Sequence, residues 1–321
     1  MKFRTIDTTA LRVSELCMGT MTMGWQTDES ESLKILDRAY DRGVNFFDTA
    51  DVYNRWVEGH PGGESETIIG KWLKTKPRDH IVLATKVRGQ MWEGPDGEGL
   101  GRKHILRACK ESLQRLQVDY VDLYQCHAPD PNTPIEETVD TLCELIREGK
   151  ARYIGVSNFP GDLLRKANDY AHTHYQCKFI CTQPKYNLIF RKAFEEDVLP
   201  YVEESKIGVI PYSPLEGGLL TGKYKPGKPL PENARHTLNA RAPEKLTPQV
   251  VKVLEALEQM ARKRGETMTQ TALAWLLTKP YVTSPIIGAT SLQQLDDSLT
   301  ASGKTLSQEE ENELDEVSKG L

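Results

Sequence analysis

No stretch of the chain comes near the roughly 20 apolar residues that a membrane-spanning helix needs. The N-terminus, MKFRTIDTTALRVSE, is too charged and polar for a secretory leader. The six cysteines are scattered. Cys177 and Cys181 lie close together, but no second pair stands at zinc-ligand spacing. This pattern excludes a disulfide-stapled secreted domain. It predicts reduced thiols in a cytoplasmic protein, with no metal centre and no membrane partner. No GxGxxG follows a candidate strand, which argues against a doubly wound dinucleotide-binding half. There is no low-complexity segment and no obvious internal repeat. Nor is there an excess of positive charge: 41 Lys and Arg stand against 46 Asp and Glu, a formal net charge of -5. Nucleic acid and anionic membrane surfaces are therefore poor partners.

What is present is an alternation. The composition, 38% hydrophobic and 27% charged over 321 residues, is that of a soluble globular enzyme. Residues 2–13 predict a hairpin around Asp7 to Ala10. Short apolar runs then alternate with longer amphipathic ones. The runs are SELCMG (14–19), NFFDTA (45–50), IVLATKV (81–87), VDLYQCH (121–127), ARYIGVSN (151–158), ICTQP (180–184), IGVIPYS (207–213) and TSPIIGA (283–289). Between them, helical spacing predicts helices over about 30–42, 64–75, 102–117, 134–147, 159–175, 193–205, 248–264 and 269–277, with two more after the last strand. On the third helix the apolar face reads Leu106, Cys109, Leu113 and Leu116. On the fourth, Thr133 is predicted to cap the helix, with Pro134 at its first position and Glu136 completing a capping box. Eight near-continuous apolar strands between helices predict a parallel sheet covered on both faces. In one domain over 1–321 they close as a (β/α)8 TIM barrel with an N-terminal β-hairpin and extra C-terminal helices. An open doubly wound sheet is the rival architecture.

In such barrels the chemistry sits where the strands end. Those ends carry Asp48, Lys86, His127, Ser157 with Asn158, Gln183, and Tyr212 with Ser213. Tyr53 follows Asp48 by five residues. Each taken alone has a structural reading, as a rim lysine, a turn cap or a packed tyrosine. Together they predict a polar cluster at one end of an apolar cylinder. A buried Asp48 needs a counter-charge, and Lys86 supplies one. An ammonium beside Tyr53 favours its phenolate and so eases proton donation to a developing alkoxide. A neutral His127 orients a carbonyl oxygen. This set suits carbonyl reduction by a bound hydride donor. Asn158 and Gln183 suit a flat carboxamide, and Tyr212 an aromatic ring. The loop from Pro214 onward, with Gly217, Gly218, Gly222, Lys223 and Arg235, suits phosphates. Met23, Trp25, Trp56, Trp92 and Tyr186 are the candidates for reading the substrate.

The motifs MGTMTMG, DTADVY, ATK, YQCHAP, GVSNF, QPKYN, YSPLEGGLLTGKY and IIGATSLQQLDDSL, in this order along nearly the whole chain, resemble the aldo-keto reductase family. The GGLLTGKY loop is most similar to the microbial branch that also resembles potassium-channel β subunits. The resemblance implies a catalytic tetrad of Asp48, Tyr53, Lys86 and His127, with Tyr53 as proton donor and a small aldehyde or ketone as substrate. It implies NADPH across the strand ends. Gly19, Thr20 and Met21 would line the nicotinamide region, and Ser157, Asn158 and Gln183 would hold the carboxamide under a stacked Tyr212. Ser213, Pro214, Leu215, Gly217, Lys223 and Arg235, within a clasping loop over 214–248, would embrace the phosphates. Gly288, Thr290, Gln294, Asp297 and Ser298 would surround the adenosine. Many relatives have a basic residue at Gly288 or Gln294, and Glu and Asn at Asp297 and Ser298, so the choice of NADPH over NADH stays open. Two other functions compete: a Schiff-base lyase using Lys86, and a non-catalytic NADPH-binding module sensing redox state for a protein partner.

Overall fold

The computed structural model describes residues 1–225, 228–232 and 242–321. Its centre is an eight-stranded parallel barrel. A hairpin of β1 (Phe3–Thr5) and β2 (Arg12–Ser14) comes first. The barrel strands are β3 (Cys17–Gly19), β4 (Phe46–Asp48), β5 (Val82–Val87), β6 (Val121–Cys126), β7 (Ala151–Ser157), β8 (Phe179–Gln183), β9 (Gly208–Val209) and β10 (Ile286–Ile287). Each pairs with its neighbour, and β10 pairs back onto β3. The ring closes where Thr283 N donates to Val209 O (2.7 Å) and Ile286 N to Pro211 O (2.8 Å). The barrel, rather than the open sheet, is therefore the architecture.

The helices between strands are α1 (Glu29–Asp41), α2 (Glu64–Leu73), α3 (Arg102–Leu116), α4 (Ile135–Arg147), α5 (Gly161–Tyr175) and α6 (Leu199–Ser205). A π-helical turn, Phe194–Val198, leads into α6. After β9 come a 3-10 segment, Glu216–Thr221, and a short helical turn, Ala242–Lys245. Then follow α7 (Pro248–Arg264), α8 (Met268–Thr278), α9 (Leu292–Leu299) and α10 (Gln308–Val317). The termini obey local chemistry. Thr247 caps α7 ahead of Pro248, Gly265 ends it in the left-handed conformation, and Ser307 with Glu310 forms a capping box on α10.

Period-two alternation divides the strand residues between two cores. Phe46 points into the barrel with Val82, Ala84, Leu123, Cys181 and Ile286; Phe47 and Leu83 point outward to the helices. Ile6, Leu11 and Val13 of the hairpin fill the lower mouth and join the interior cluster. The aliphatic and aromatic filling stops at the other mouth, and polar side chains begin there.

Two local expectations fail. The buried face of α3 is Ile105, Ala108, Cys109, Ser112 and Leu116, whereas Leu106 and Leu113 are only partly buried. Leu106 and Leu113 pack against the rim of the same core, and α2 comes close to the end of this helix: a Cβ on Gly70 would lie 2.2 Å from Arg115 O. Thr133 does not cap α4, whose N-cap is Pro134. The Thr133 hydroxyl instead donates to Asp130 (2.7 Å), which also accepts from Leu100 N and Asn132 N and so ties two loops together.

Candidate active site

Asp48 ends β4 and Lys86 lies one residue before the end of β5, both pointing into the barrel. Lys86 is 0% exposed and Asp48 2%. The Lys86 ammonium donates to Asp48 Oδ2 (2.5 Å), to Thr49 O (2.8 Å) and to Tyr53 Oη (3.2 Å), using all three protons. Burial acts to lower its pKa, but Asp48 and Tyr53 outweigh burial and hold it above the ordinary lysine value. Lys86 is thus a fixed cation one hydrogen bond from a phenol. A lysine so held is a poor nucleophile, which counts against the Schiff-base reading.

Asp48 is held from the other side by amides. Gln125 Nε2 and Gln183 Nε2 each donate to Oδ1 at 3.0 Å, and Gln183 Nε2 also reaches Gln125 Oε1 at 3.1 Å. Gln125 was not singled out from the sequence. The signal was there: Leu123, Gln125 and His127 share one face by period two, and that face looks into the barrel. The Gln183 amide therefore turns down onto Asp48. Its Oε1 makes no hydrogen bond among the described residues and is the atom left for an outside donor.

The His127 ring stands edge-on to Tyr53, centroids 5.8 Å apart. Burial, with the Lys86 and Arg88 cations nearby, holds its pKa down at about 3. The imidazole is neutral at working pH and keeps one N–H to donate. Trp56 meets Tyr53 at 5.8 Å and Trp25 at 5.7 Å, and at 48% exposed it is a bare aromatic wall beside the phenol. The other substrate candidates do not join it. Met23 is fully buried. Tyr186 is buried behind the barrel, bonded to Glu195 and Tyr281. Trp92 packs on His104 under Arg107.

From Asp48 a chain of hydrogen bonds crosses the strand ends. Ser157 Oγ donates to Gln183 O (2.8 Å), Asn158 Nδ2 to Ser157 Oγ and to His127 O (3.0 Å each), and Tyr212 Oη to Asn158 Oδ1 (2.9 Å). Three strands thereby place Ser157, Asn158, Gln183 and Tyr212 together. Gly19 ends β3 beside Asp48, and Met21 is partly buried nearby. Thr20 is fully buried, its hydroxyl spent on Asp48 O (3.0 Å) and Ser65 (2.7 Å), so it presents no side chain to a ligand.

The loop after Tyr212 begins at Ser213, whose carbonyl accepts from Asn187 (2.9 Å). It continues through buried Pro214 and half-buried Leu215. Gly217 (φ 60) and Gly218 (φ 95) are left-handed, and a Cβ on Gly218 would lie 2.6 Å from Lys223 Nζ. The Lys223 cation thus folds over a glycine turn, a combination suited to phosphate oxygens. Arg235 lies outside the described residues. At the end of β10, Gly288 faces open space, and Thr290 N and Oγ1 both donate to Gln294 Oε1 (3.0 and 3.1 Å). Asp297 Oδ1 is occupied by Thr267 and Gln270 (2.8 Å each), and Ser298 is buried. The open glycine turn, the folded lysine and the free Gln183 Oε1 fit a dinucleotide. Among the described residues no group of three His, Cys, Asp or Glu side chains could hold a metal ion, and no helix is long and apolar enough to cross a membrane.

Behind Lys86, on the helix side, Asp51 N donates to Lys86 O (3.2 Å). Both Asp51 carboxyl oxygens are buried, and no side chain among the described residues bonds them. Glu66 is next to it, taken by Thr85 (2.5 Å) and Arg115 (2.8 Å). Burial, then the neighbouring Glu66, push Asp51 well above the usual carboxyl range. In the unfolded chain it ionises near pH 4. Folding therefore requires holding its proton, and the contribution of this carboxyl to stability falls as pH rises above about 4 toward the raised folded pKa. Asp51→Asn is expected to match the parent near pH 4 and to be more stable at pH 8. Chemical denaturation at the two pH values checks this; an equal difference at both rejects it.

A model of the Aldo/keto reductase family matches residues 15–319. The chain is 38% identical to an uncharacterized oxidoreductase, YrpG, of Bacillus subtilis, over all of this chain and 97% of that protein. It is 34% identical to the L-glyceraldehyde 3-phosphate reductase of Escherichia coli O157:H7, over 98% of this chain and 92% of that one. It is 37% identical to a probable voltage-gated potassium channel subunit beta of Arabidopsis thaliana, over 94% of this chain and 91% of the relative.

Proposed function

Because the chain belongs to the aldo/keto reductase family and is an oxidoreductase, we propose that it reduces aldehyde or ketone carbonyls to alcohols with NADPH, Tyr53 being the proton donor. The observation that carries this reading is the buried Lys86 ammonium bridging Asp48 and the Tyr53 hydroxyl. When bound, the nicotinamide supplies a hydride to the carbonyl carbon. As the carbonyl oxygen gains charge, Tyr53 passes its hydroxyl proton to it, and the alcohol leaves neutral. The phenolate that remains is stabilised by Lys86, whose own charge is balanced by Asp48, and it regains a proton from solvent. His127, neutral, donates to the same oxygen and sets its direction. Ser157, Asn158 and Gln183 would hold the carboxamide, Tyr212 the ring, and Ser213, Pro214, Leu215, Gly217, Lys223 and Arg235 the phosphates. Gly19, Met21, Gly288, Thr290 and Gln294 would line the rest of the groove. NADPH is favoured over NADH by Lys223 beside the glycine turn.

Incubation with excess NADPH is expected to raise the melting temperature more than NADH does; at 100-fold excess over Kd the stabilisation is about 2.7 kcal/mol. Loss of the 340 nm absorbance of NADPH should then follow the addition of reactive aldehydes. No shift with either nucleotide would sink the proposal. Strong stabilisation with no oxidation across a wide carbonyl panel would favour instead the non-catalytic redox-sensing module, the reading to which the similarity with a channel subunit lends weight.

A further inference from the structure

Arg88 stands two residues beyond Lys86, directly after the end of β5. Its φ is 145, a conformation L-residues rarely adopt. The backbone is pinned there from both sides: Val87 O accepts from His127 N (2.9 Å), and Arg88 O accepts from Gly99 N (2.9 Å). Strained backbone held this firmly marks functional positions more often than accidental ones. The side chain is equally unusual. Its Nε is buried without a partner, and the guanidinium makes no salt bridge or hydrogen bond among the described residues. Other buried or half-buried arginines here have an ion-pair partner: Arg115 has Glu66 (2.8 Å), Arg191 has Asp315 (2.9 Å), and Arg78, whose Nε is also unpartnered, has Asp122 (2.7 Å).

The surroundings place this cation at the site. It acts electrostatically on His127 alongside Lys86. On its other side is a cavity of about 190 Å³ between the loops that follow β5 and β6, lined by Arg88, His104, Asp130 and Asn132 among others. Asp130 keeps its charge and acts electrostatically on Arg88, but among the described residues no ion pair joins them, its two oxygens accepting instead from Leu100, Asn132 and Thr133. Asp96 and Glu98 lie at the exposed edge, and Asp96 sits 3.6 Å from Lys103. His104, 1% exposed, places Nδ1 on Asp96 O (2.9 Å), so its Nε2 is a second buried polar atom left without a partner. An unpaired, partly desolvated guanidinium is a planar fork for an oxyanion.

We propose that Arg88 is a specificity-determining residue that binds an oxyanion on the substrate, so that the preferred carbonyl compound carries a carboxylate or a phosphate monoester. This rests on the reductase reading above.

The test compares charged and neutral partners: succinic semialdehyde with its methyl ester, and glyceraldehyde 3-phosphate with glyceraldehyde, each followed through NADPH oxidation. The parent protein is expected to prefer one charged member by tenfold or more in kcat/KM, and which pair shows the preference separates carboxylate from phosphate. Arg88→Met should reduce the charged-to-neutral ratio roughly 30-fold or more, through KM. Arg88→Gly is the second variant, because glycine suits the backbone at this position and removes the guanidinium without new strain. Arg88→Lys should restore only part of the ratio, since it keeps the charge and loses the fork. An unchanged ratio in both Arg88→Met and Arg88→Gly overturns the proposal and leaves Arg88 as a water-linked partner of Asp130. Thermal shifts with succinate and inorganic phosphate give a readout without turnover. If no carbonyl is reduced yet the anion stabilises the parent and not Arg88→Gly, the oxyanion site stands and the reductase reading falls.

Discussion

Lys86→Met is expected to abolish carbonyl reduction and to destabilise the fold by about 3–5 kcal/mol. Among the described residues the ammonium is the only cation bonded to Asp48, and it also ties Thr49 O and Tyr53 into one unit. Without it, Asp48 keeps the Gln125 and Gln183 amides on Oδ1, and Oδ2 is left a buried, unpaired charge. Taking away both charges is far less costly than taking one, since an apolar pair of similar volume replaces a desolvated ion pair. The double variant Lys86→Met with Asp48→Leu should therefore recover most of the lost stability and none of the activity. Denaturant midpoints for the parent, both single variants and the double variant give the coupling. Equal losses in the single and double variants would mean that the pair does not carry the cost. The Lys86 pKa is raised on folding, so its contribution is fully present below the unfolded lysine pKa and is lost only as pH rises through the higher folded value. The measured coupling should thus stay level between pH 6 and 9.

Tyr53→Phe should lower kcat/KM for aldehydes by about 10²–10⁴-fold, the usual range for loss of a positioned proton donor. The ring keeps its edge contacts with Trp56 and His127, so folding is preserved. Only the hydroxyl on Lys86 disappears. The expected signature is a loss in kcat with the nucleotide-induced thermal shift retained. Undiminished turnover would take Tyr53 out of the role assigned to it.

The barrel was readable because each strand of a covered parallel sheet is a short apolar run, and because polar residues begin at the same end of every run. The Asp48–Lys86 pair followed from the cost of burying either charge alone. Other features were set by neighbours distant in sequence. The Gln183 amide faces Asp48 because Gln125 and Asp48 offer it better partners than the rim does. Gln125 itself read as one more strand residue. Tyr186, three residues past the end of β8, turned outward to meet Tyr281, 95 positions along the chain. The face of α3 was misjudged because leucine spacing does not say which leucines reach the centre of the core and which its rim. The Thr133 hydroxyl donates to Asp130, a contact the helix pattern does not mark, and accepts no N–H of α4.

The N-terminal hairpin has a consequence for traffic. With Ile6, Leu11 and Val13 packed under Phe46, Val82 and Leu123, the cylinder is a blind well rather than a tunnel. Whatever enters to meet Tyr53 has to depart by the same doorway, and so does every proton exchanged with bulk water. Entry, release and proton exchange therefore share one opening.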